Sequence, residues 1–338
     1  MDDTQTAGML ADAVARALAG AVTARGTTAA EAQGLDAKAW DTLRELGLAG
    51  GDAAAMSLDE HAAVLEAIGR AAALVPYADS EAMARWLAQG AGLTTDPGEV
   101  LALALASPNE ALAGRRVAWG RHSARTLFSY EEGGRNWVAM VPSAALRLEN
   151  GANLAGEPSD KCGVDRTPPG EAREVSDEFS PAAVSQRGAL CRCAAMLGAA
   201  AKAQELTLQY ALDRKQFGKP LAQFQVIQSY LAQMAGELSA ARAMFATALR
   251  AAPRGPGESR AETAAAKLRC GQAAHVITAL AHQVHGAIGF TEEYSLQLWT
   301  RRLWAWREEF GNETYWAREL GAAAIALGPD AWWERVTR

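Results

Sequence analysis

Long helical segments in the second half of the chain constrain its fold more than any other feature of the sequence. Ser180-Pro181 combines an N-cap residue with proline at the first helical position. Helices are predicted over the ranges 180–214, 221–250, 259–285 and 295–309, with a last helix ending at Gly328. Long helices joined by short loops are typical of a four-helix bundle. We therefore predict that residues 180–338 form a C-terminal helical bundle.

Capping signals also divide the rest of the chain into helices. In a capping box, a Ser or Thr and a Glu three residues later satisfy each other's backbone N–H groups at a helix start. The sequence predicts three such boxes: Thr28–Glu31, Ser57–Glu60 and Ser259–Glu262. The apolar pattern that follows Ser57 stops at Gly69, which we expect to be the C-cap of that helix. In the helix over 221–250, Val226, Leu231, Met234 and Leu238 are predicted to face inward.

The pattern changes between about Val100 and Glu178. Short runs of mixed apolar and polar residues alternate there with turn signals such as Glu132-Gly133-Gly134 and Asn150-Gly151. Strands are predicted at 116–119, 125–130, 136–141 and 145–148. The predicted fold class is a multidomain α and β protein. It comprises an N-terminal all-α domain over 1–105, a small middle β domain over 106–179 and the four-helix bundle over 180–338.

Composition and charge exclude several classes of function. The 338 residues carry a formal net charge of −6, which disfavours a nucleic-acid surface. No apolar run reaches the ~18 residues that a membrane helix needs, and the first ten residues lack the basic and apolar regions of a secretion signal. The four cysteines have the spacing of neither a zinc site nor a CxxC redox pair. We expect a cytoplasmic protein that binds neither membrane nor nucleic acid.

A metal centre is not expected either. His275, His282 and His285 lie on one predicted helix, but a metal site in a bundle needs a further carboxylate or histidine on a facing helix. Nothing in the sequence nominates such a partner. The sequence also lacks a P-loop, a dinucleotide-binding GxGxxG turn and a GxSxG nucleophile elbow.

Two segments of the predicted bundle resemble the C-terminal signatures of FAD-dependent acyl-CoA dehydrogenases. One is DRKQFGKPLAQFQVIQ at 213–228, and the other is QVHGAIGFTEEY at 283–294, followed by Arg301-Arg302. The order of helical, β and helical parts is similar to that family over nearly the whole chain. The resemblance implies an acyl-CoA dehydrogenase-like fold, FAD as cofactor, an acyl-CoA substrate and an electron acceptor such as an electron-transfer flavoprotein.

The resemblance also assigns residues to the cofactor. The pyrophosphate of FAD needs cationic donors, and Arg214 precedes a glycine turn where backbone can approach a ligand. In the family, the equivalent arginine binds the pyrophosphate of an FAD held mainly by the neighbouring subunit. The residues that match family contacts to that cofactor are Arg214, Gln216, Phe217, Leu221, Phe224, Ile227, Gln283, Gly286 and Ala287.

The catalytic base of the family has no counterpart at its expected positions. In the family reaction a glutamate removes the α-proton of the acyl-CoA while hydride leaves the β-carbon for the flavin, so the base must lie within reach of that proton. Its two alternative positions fall on Phe310 and Gly188, which cannot accept a proton. Glu309 is adjacent to the first position and is a candidate for the base. The flavin-ring motifs of the family, Thr-Glu-Pro…Gly-Ser-Asp and Trp-x-Ser/Thr, are not visible in the predicted β domain either.

Three interpretations stay open from the sequence. In the first, the chain resembles the shorter subunit of heteromeric (α2β2) acyl-CoA dehydrogenases of bacterial steroid and side-chain degradation, and it completes the FAD site of a homologous catalytic subunit. In the second, it is a self-sufficient homo-oligomeric acyl-CoA dehydrogenase with Glu309 or an unplaced residue as base. In the third, it is a non-enzymatic relative that binds flavin or CoA or serves as an assembly scaffold.

Overall fold

The N-terminal part of the protein is helical in the computed structural model, which describes residues 3–50, 55–106, 115–163 and 170–337. Its helices are α1 (Asp3–Ala21), α2 (Ala24–Gln33), α3 (Ala37–Glu45), α4 (Leu58–Ala71), a π-helical segment (Ala78–Arg85) and α5 (Trp86–Gly90). No single described helix is long and apolar enough to cross a membrane; by length and composition alone, only the bent pair 6–21 and 24–33 meets that criterion together.

One of the three predicted capping boxes is present. The N–H of Glu60 donates to Ser57 Oγ at 3.2 Å and the N–H of Ser57 donates to Glu60 Oε2 at 2.7 Å. The other two predictions are wrong. Thr28 lies inside α2, whose N-cap is Thr23, and the Ser259 hydroxyl donates backward to the Gly255 carbonyl instead of capping the helix.

Gly69 does not end α4, which continues to Ala71 before Ala72 adopts the left-handed conformation (φ 54°). A Cβ at Gly69 would stand 2.0 Å from the Ala195 carbonyl oxygen, and one at Gly198 would stand 1.9 Å from that of Glu66. The two glycines therefore allow the backbones of α4 and of the first bundle helix to pack in direct contact, which unites the helices in one hydrophobic core.

The middle part consists of two small sheets. Its strands are β1 (Leu101–Leu105), β2 (Arg115–Ala118), β3 (Arg125–Glu132), β4 (Arg135–Pro142), β5 (Arg147–Glu149), β6 (Ser159–Gly163) and β7 (Glu171–Val175). One sheet has the order β1-β3-β4-β7, with β1 parallel to β3, and the other has the order β2-β6-β5. The four predicted runs correspond to β2, β3, β4 and β5. Strands β6 and β7 were not predicted, because SDKCG and EAREV lack an apolar alternation.

The C-terminal part is the predicted helical bundle. It contains α6 (Pro181–Asp213), the short strands β8 (Lys215–Gln216) and β9 (Lys219–Pro220), α7 (Gln225–Ala251), α8 (Arg260–His285), α9 (Leu296–Glu308) and α10 (Glu313–Thr337). Ser180 caps α6, and Pro181 follows at its first position as predicted. One prediction fails, because Val226 is exposed, although Met234 is buried. The helix that begins at Glu313 is interrupted at Gly328, where it was predicted to end, and a further helical segment that was not predicted follows to Thr337.

Candidate functional site

The two sequence signatures meet at one end of the bundle. The first signature spans the end of α6 and the start of α7, and the second includes the end of α8. Tyr210, one turn before the end of α6, stacks on His285 with ring centroids 4.4 Å apart. Its hydroxyl donates to the His285 carbonyl at 3.4 Å. The residues predicted to contact the cofactor therefore share one surface.

A tight hairpin between α6 and α7 presents the first signature to solvent. Lys215–Gln216 pairs with Lys219–Pro220, and Phe217 and Gly218 form the turn with φ of 51° and 80°. Two successive left-handed residues give the twist that short hairpins need. The turn leaves the Phe217 side chain 91% exposed, while Gln216 is exposed beside it. A large apolar ring in this position is suited to contact with another molecule.

Arg214 begins this hairpin directly after α6. Its side chain is exposed, and no ion pair with it is found among the described carboxylates. The Arg214 carbonyl accepts the N–H of Leu221 at 2.8 Å, which fixes the backbone on both sides of the hairpin. A cation held on fixed backbone and free of an acidic partner can bind an anionic group such as a phosphate.

The remaining predicted contacts flank this arginine. Leu221, Phe224 and Ile227 are half-buried at the start of α7. Gln283, Gly286 and Ala287 are exposed at the end of α8, where Gly286 adopts φ 63° and ψ −145°. That conformation is open to glycine and not to residues with a Cβ, and it leaves the backbone accessible.

The two positions where a base is expected lie in contact with each other. Phe310 follows α9 with φ 53°, and Trp316 Nε1 donates to its carbonyl at 3.0 Å. A Cβ at Gly188, on α6, would stand 2.4 Å from Phe310 Cδ1. The aromatic ring therefore occupies the space into which any larger side chain at position 188 would extend.

Glu309, the candidate for a base, is engaged by other residues. Arg192 Nε donates to Glu309 Oε2 at 2.5 Å, and Asn153 Nδ2 donates to Oε1 at 3.1 Å. Burial raises the pKa of the Glu309 carboxyl, Arg192 lowers it, and the carboxylates of Glu157 and Asp79 raise it further. Both oxygens are thus committed to structural hydrogen bonds.

Arg192 is the centre of this network and was missed by the sequence analysis. Its Nη2 donates to both carboxylate oxygens of Asp79 at 3.0 and 2.9 Å, and its guanidinium lies 5.8 Å from the Phe310 ring centroid. Burial alone would lower the pKa of Arg192, but Asp79 and Glu309 outweigh it and the pKa is raised. An arginine inside an alanine-rich helix was the available signal, since such a residue is rarely buried without partners.

The bundle matches a known family model. Residues 185–325 match the model described as acyl-CoA dehydrogenase, C-terminal domain. The chain is 38% identical over 135 residues to a 3-sulfinopropanoyl-CoA desulfinase from Paraburkholderia xenovorans, covering 40% of this chain and 34% of that protein. It is 31% identical over 134 residues to the acyl-CoA dehydrogenase IpdE2 from Mycolicibacterium smegmatis, covering 40% of each. The chain thus aligns with less than half of the length of these relatives.

Similarity to solved structures extends over nearly the whole chain. The ChsE4–ChsE5 complex from Mycobacterium tuberculosis superposes with a TM-score of 0.84 at 19% identity, covering 96% of this chain and 98% of the matched chain. The Tcur3481–Tcur3483 steroid ACAD superposes with a TM-score of 0.83 at 20% identity, covering 95% and 98%. At these identities the similarity establishes the fold, which is the predicted three-part arrangement.

Proposed function

Because the chain belongs to the acyl-CoA dehydrogenase family, whose cofactor is FAD, we propose that it is a partner subunit of a heteromeric acyl-CoA dehydrogenase. In this role it completes the FAD site of a homologous catalytic subunit and supplies no base of its own. The contact of Phe310 with Gly188 carries the proposal, since both positions that could hold a base are occupied by residues without a proton acceptor.

The surface around Arg214 supports the first half of the proposal. An arginine without an ion pair among the described residues, an exposed phenyl ring and two glycine turns lie at one end of the bundle, where a second subunit can reach them. Arg214 would neutralise part of the pyrophosphate charge, Gln216 would donate a hydrogen bond, and Phe217 would cover an apolar part of the cofactor. When bound between the subunits, FAD would supply the acceptor for the hydride that leaves the substrate.

The network around Arg192 supports the second half. Beside Phe310, Arg192 forms ion pairs with both Asp79 and Glu309. A substrate thioester entering there would have to displace the ring or break these pairs. The catalytic partner is therefore proposed to bind the acyl-CoA and to provide the glutamate.

The proposed substrate is a bulky acyl-CoA, such as one with a steroid ring or side chain. A site shared between two different chains, one of which has no substrate of its own, leaves room for a large acyl group. The similarity to a steroid ACAD supports this class of substrate, and an electron-transfer flavoprotein is the proposed electron acceptor.

Flavin stoichiometry tests the proposal. The full chain is purified alone and after co-expression with an acyl-CoA dehydrogenase encoded beside its gene, and FAD is quantified by absorbance after denaturation. We expect little flavin and no activity in the chain alone, and FAD with dehydrogenase activity in the complex. A yellow, active preparation of the chain alone would refute the proposal.

The self-sufficient enzyme is the second candidate, and one observation favours it. Burial raises the pKa of Glu309, as a general base requires, although Arg192 opposes this shift. Under this alternative, Glu309→Gln abolishes the activity of the isolated chain. A non-enzymatic scaffold instead predicts that Arg214→Ala changes neither the FAD content nor the activity of any assembly.

A further inference from the structure

A cavity lies apart from the sites described above. It has a volume of about 520 Å³ and lies between the first turn of α4, the start of α6 and the turn that joins α7 to α8. Arg187 lines it, whereas the next residue, Gly188, faces Phe310. Successive side chains on an α-helix diverge by about 100°, so the two sites lie on different faces of α6.

Arg187 is one of the charged residues that line this cavity. Its Nε donates to the Ala82 carbonyl at 2.5 Å, and its guanidinium lies 4.5 Å from the Trp86 ring centroid. Within the described ranges, no carboxylate forms an ion pair with it. Burial lowers the pKa of Arg187, and the neighbouring His61 has its pKa lowered to about 3 by burial and then by the Arg187 charge. A partly buried guanidinium without a counter-ion is unfavourable unless an anion joins it.

Two buried polar atoms beside Arg187 also have no hydrogen-bond partner in the described structure. They are Thr263 Oγ1, on a residue with no exposed surface, and Gln186 Oε1, on a residue that is 5% exposed. Gln186 Nε2 donates to the Pro256 carbonyl at 2.9 Å, which fixes the orientation of the amide. Buried polar groups are nearly always hydrogen-bonded, so these two atoms, on residues that line one cavity, can accept or donate hydrogen bonds to a ligand there.

The rest of the lining is mixed. Leu58, Leu190 and Leu249 contribute apolar surface, while the two carboxylates of the lining, Asp59 and Glu178, belong to exposed residues. The volume is within the range of small-molecule sites, which combine an apolar lining with a few fixed polar groups.

We propose that this cavity binds a small organic carboxylate with an apolar body and a hydroxyl group. Its carboxylate would accept hydrogen bonds from Arg187 and from the Thr263 hydroxyl. Its hydroxyl would donate to Gln186 Oε1, and its apolar body would contact the leucines. The site would bind its ligand whether or not the subunit carries flavin, so this inference is independent of the function proposed above.

Calorimetric titration of the full chain with 3-hydroxyoctanoate, octanoate and 1-octanol tests the site. We expect saturable binding in the millimolar range or tighter, strongest for 3-hydroxyoctanoate and absent for 1-octanol. Arg187→Gln should weaken binding about 10–100-fold, because a charge-assisted hydrogen bond is lost. Arg254→Gln is the matched control, since Arg254 also lines the cavity but is paired with Glu262 at 2.9 Å. No saturable binding, or equal binding by the Arg187→Gln variant, overturns the proposal.

Protection from phenylglyoxal tests it without a variant. The unmodified chain is treated with the reagent with and without 3-hydroxyoctanoate, and modification of each arginine is quantified by peptide mass spectrometry. The ligand should protect Arg187 and leave Arg254 unprotected. Modification of Arg187 that is insensitive to the ligand overturns the proposal even if Arg187→Gln does not fold.

Discussion

The phenyl ring of Phe310 lies against the backbone of Gly188, so that a Cβ on Gly188 would be 2.4 Å from Phe310 Cδ1. The two residues are far apart in the sequence, one on α6 and the other after α9. They are also the two positions at which the family resemblance places alternative bases. One aromatic ring therefore fills the space that a larger side chain at position 188 would need, which is consistent with the proposal that neither position provides a base.

Gly188→Ala tests this contact. The new methyl group would overlap the Phe310 ring, so we expect a loss of about 1–3 kcal/mol in the free energy of unfolding. The loss should be smaller when Gly188→Ala is introduced into a Phe310→Ala background, because the ring is then absent. Urea unfolding of the four proteins of this double-mutant cycle measures the coupling.

Gly236→Ala is the control for the Gly188 substitution. Gly236 lies in α7, is exposed, and has no atom within 4 Å of a Cβ added to it. Alanine there should be neutral or stabilising by about 0.4–1 kcal/mol. Equal losses at both positions, or no coupling between Gly188 and Phe310, would contradict the contact.

The helical framework was predictable because its signals are local. The Ser180-Pro181 start of α6 and the capping box at Ser57 depend on residues within one turn, and both are present in the structure. The failed prediction at Gly69 has a physical reason. A glycine near a helix end can serve as a C-cap or allow close packing against another helix. The residues around Gly69 do not reveal that Ala195, the residue that decides between the two roles, packs against it.

The site was predictable only in part, for the same reason. Arg214, Phe217 and Gly286 belong to contiguous signatures, so the resemblance could propose them as cofactor contacts. Arg192, in the C-terminal part, binds Asp79 of the N-terminal part and Glu309 of the C-terminal part. Glu309 in turn accepts a hydrogen bond from Asn153 of the middle part. No local pattern reports such a network, because its members are brought together only by the packing of the π-helical segment and the loop after α9 onto α6.

Arg192→Met tests the role of this network in stability. The substitution leaves Asp79 and Glu309 without their cation, and a broken buried ion pair typically costs about 3–5 kcal/mol. Because the Glu309 pKa is raised in the folded protein, the folded state binds a proton at pH values where the unfolded state has released it. Stability is therefore lost as pH rises through the raised pKa and recovered as pH falls. Arg192 lowers the pKa of Glu309, so its removal raises that pKa further. The pH interval in which only the folded state binds the proton then becomes wider.

We thus expect the destabilisation of Arg192→Met to shrink on acidification from neutral pH, as measured by urea unfolding over a pH series. Adding Glu309→Gln should recover part of the loss at neutral pH. Arg135→Met is the control, since its pair with Glu174 is exposed on both sides at 3.0 Å and should contribute at most about 1 kcal/mol. A destabilisation that grows on acidification would argue against this role of Glu309.

Phe217→Ala tests the exposed hairpin as a contact surface. The side chain is 91% exposed, so its removal should change the unfolding free energy of the isolated chain by less than about 0.5 kcal/mol. In the complex the ring is proposed to be buried, and its loss should weaken subunit association about 10–100-fold. Ile325→Ala, which removes a side chain that is 86% exposed on α10, is the control. Sedimentation velocity over a concentration series measures subunit association for both variants. Equal effects of the two substitutions would exclude a specific role for the hairpin.

Arg214→Ala tests the cofactor contact on which the proposed function depends. Loss of a charge-assisted hydrogen bond to the pyrophosphate should weaken FAD binding by the assembled subunits about 10–100-fold, with Arg214→Lys intermediate because lysine keeps the charge and loses the planar donor pair. Arg250→Ala is the control, since Arg250 is exposed on α7 and bonds only to Thr247 among the described residues. Flavin fluorescence during titration of each apo-complex with FAD measures the FAD affinity of each variant. Because Arg214 is exposed, the variant should unfold at the same urea concentration as the unmodified chain, so that a reduced FAD affinity reports the contact and not a loss of folded protein. Unchanged affinity in Arg214→Ala would remove this residue from the cofactor site.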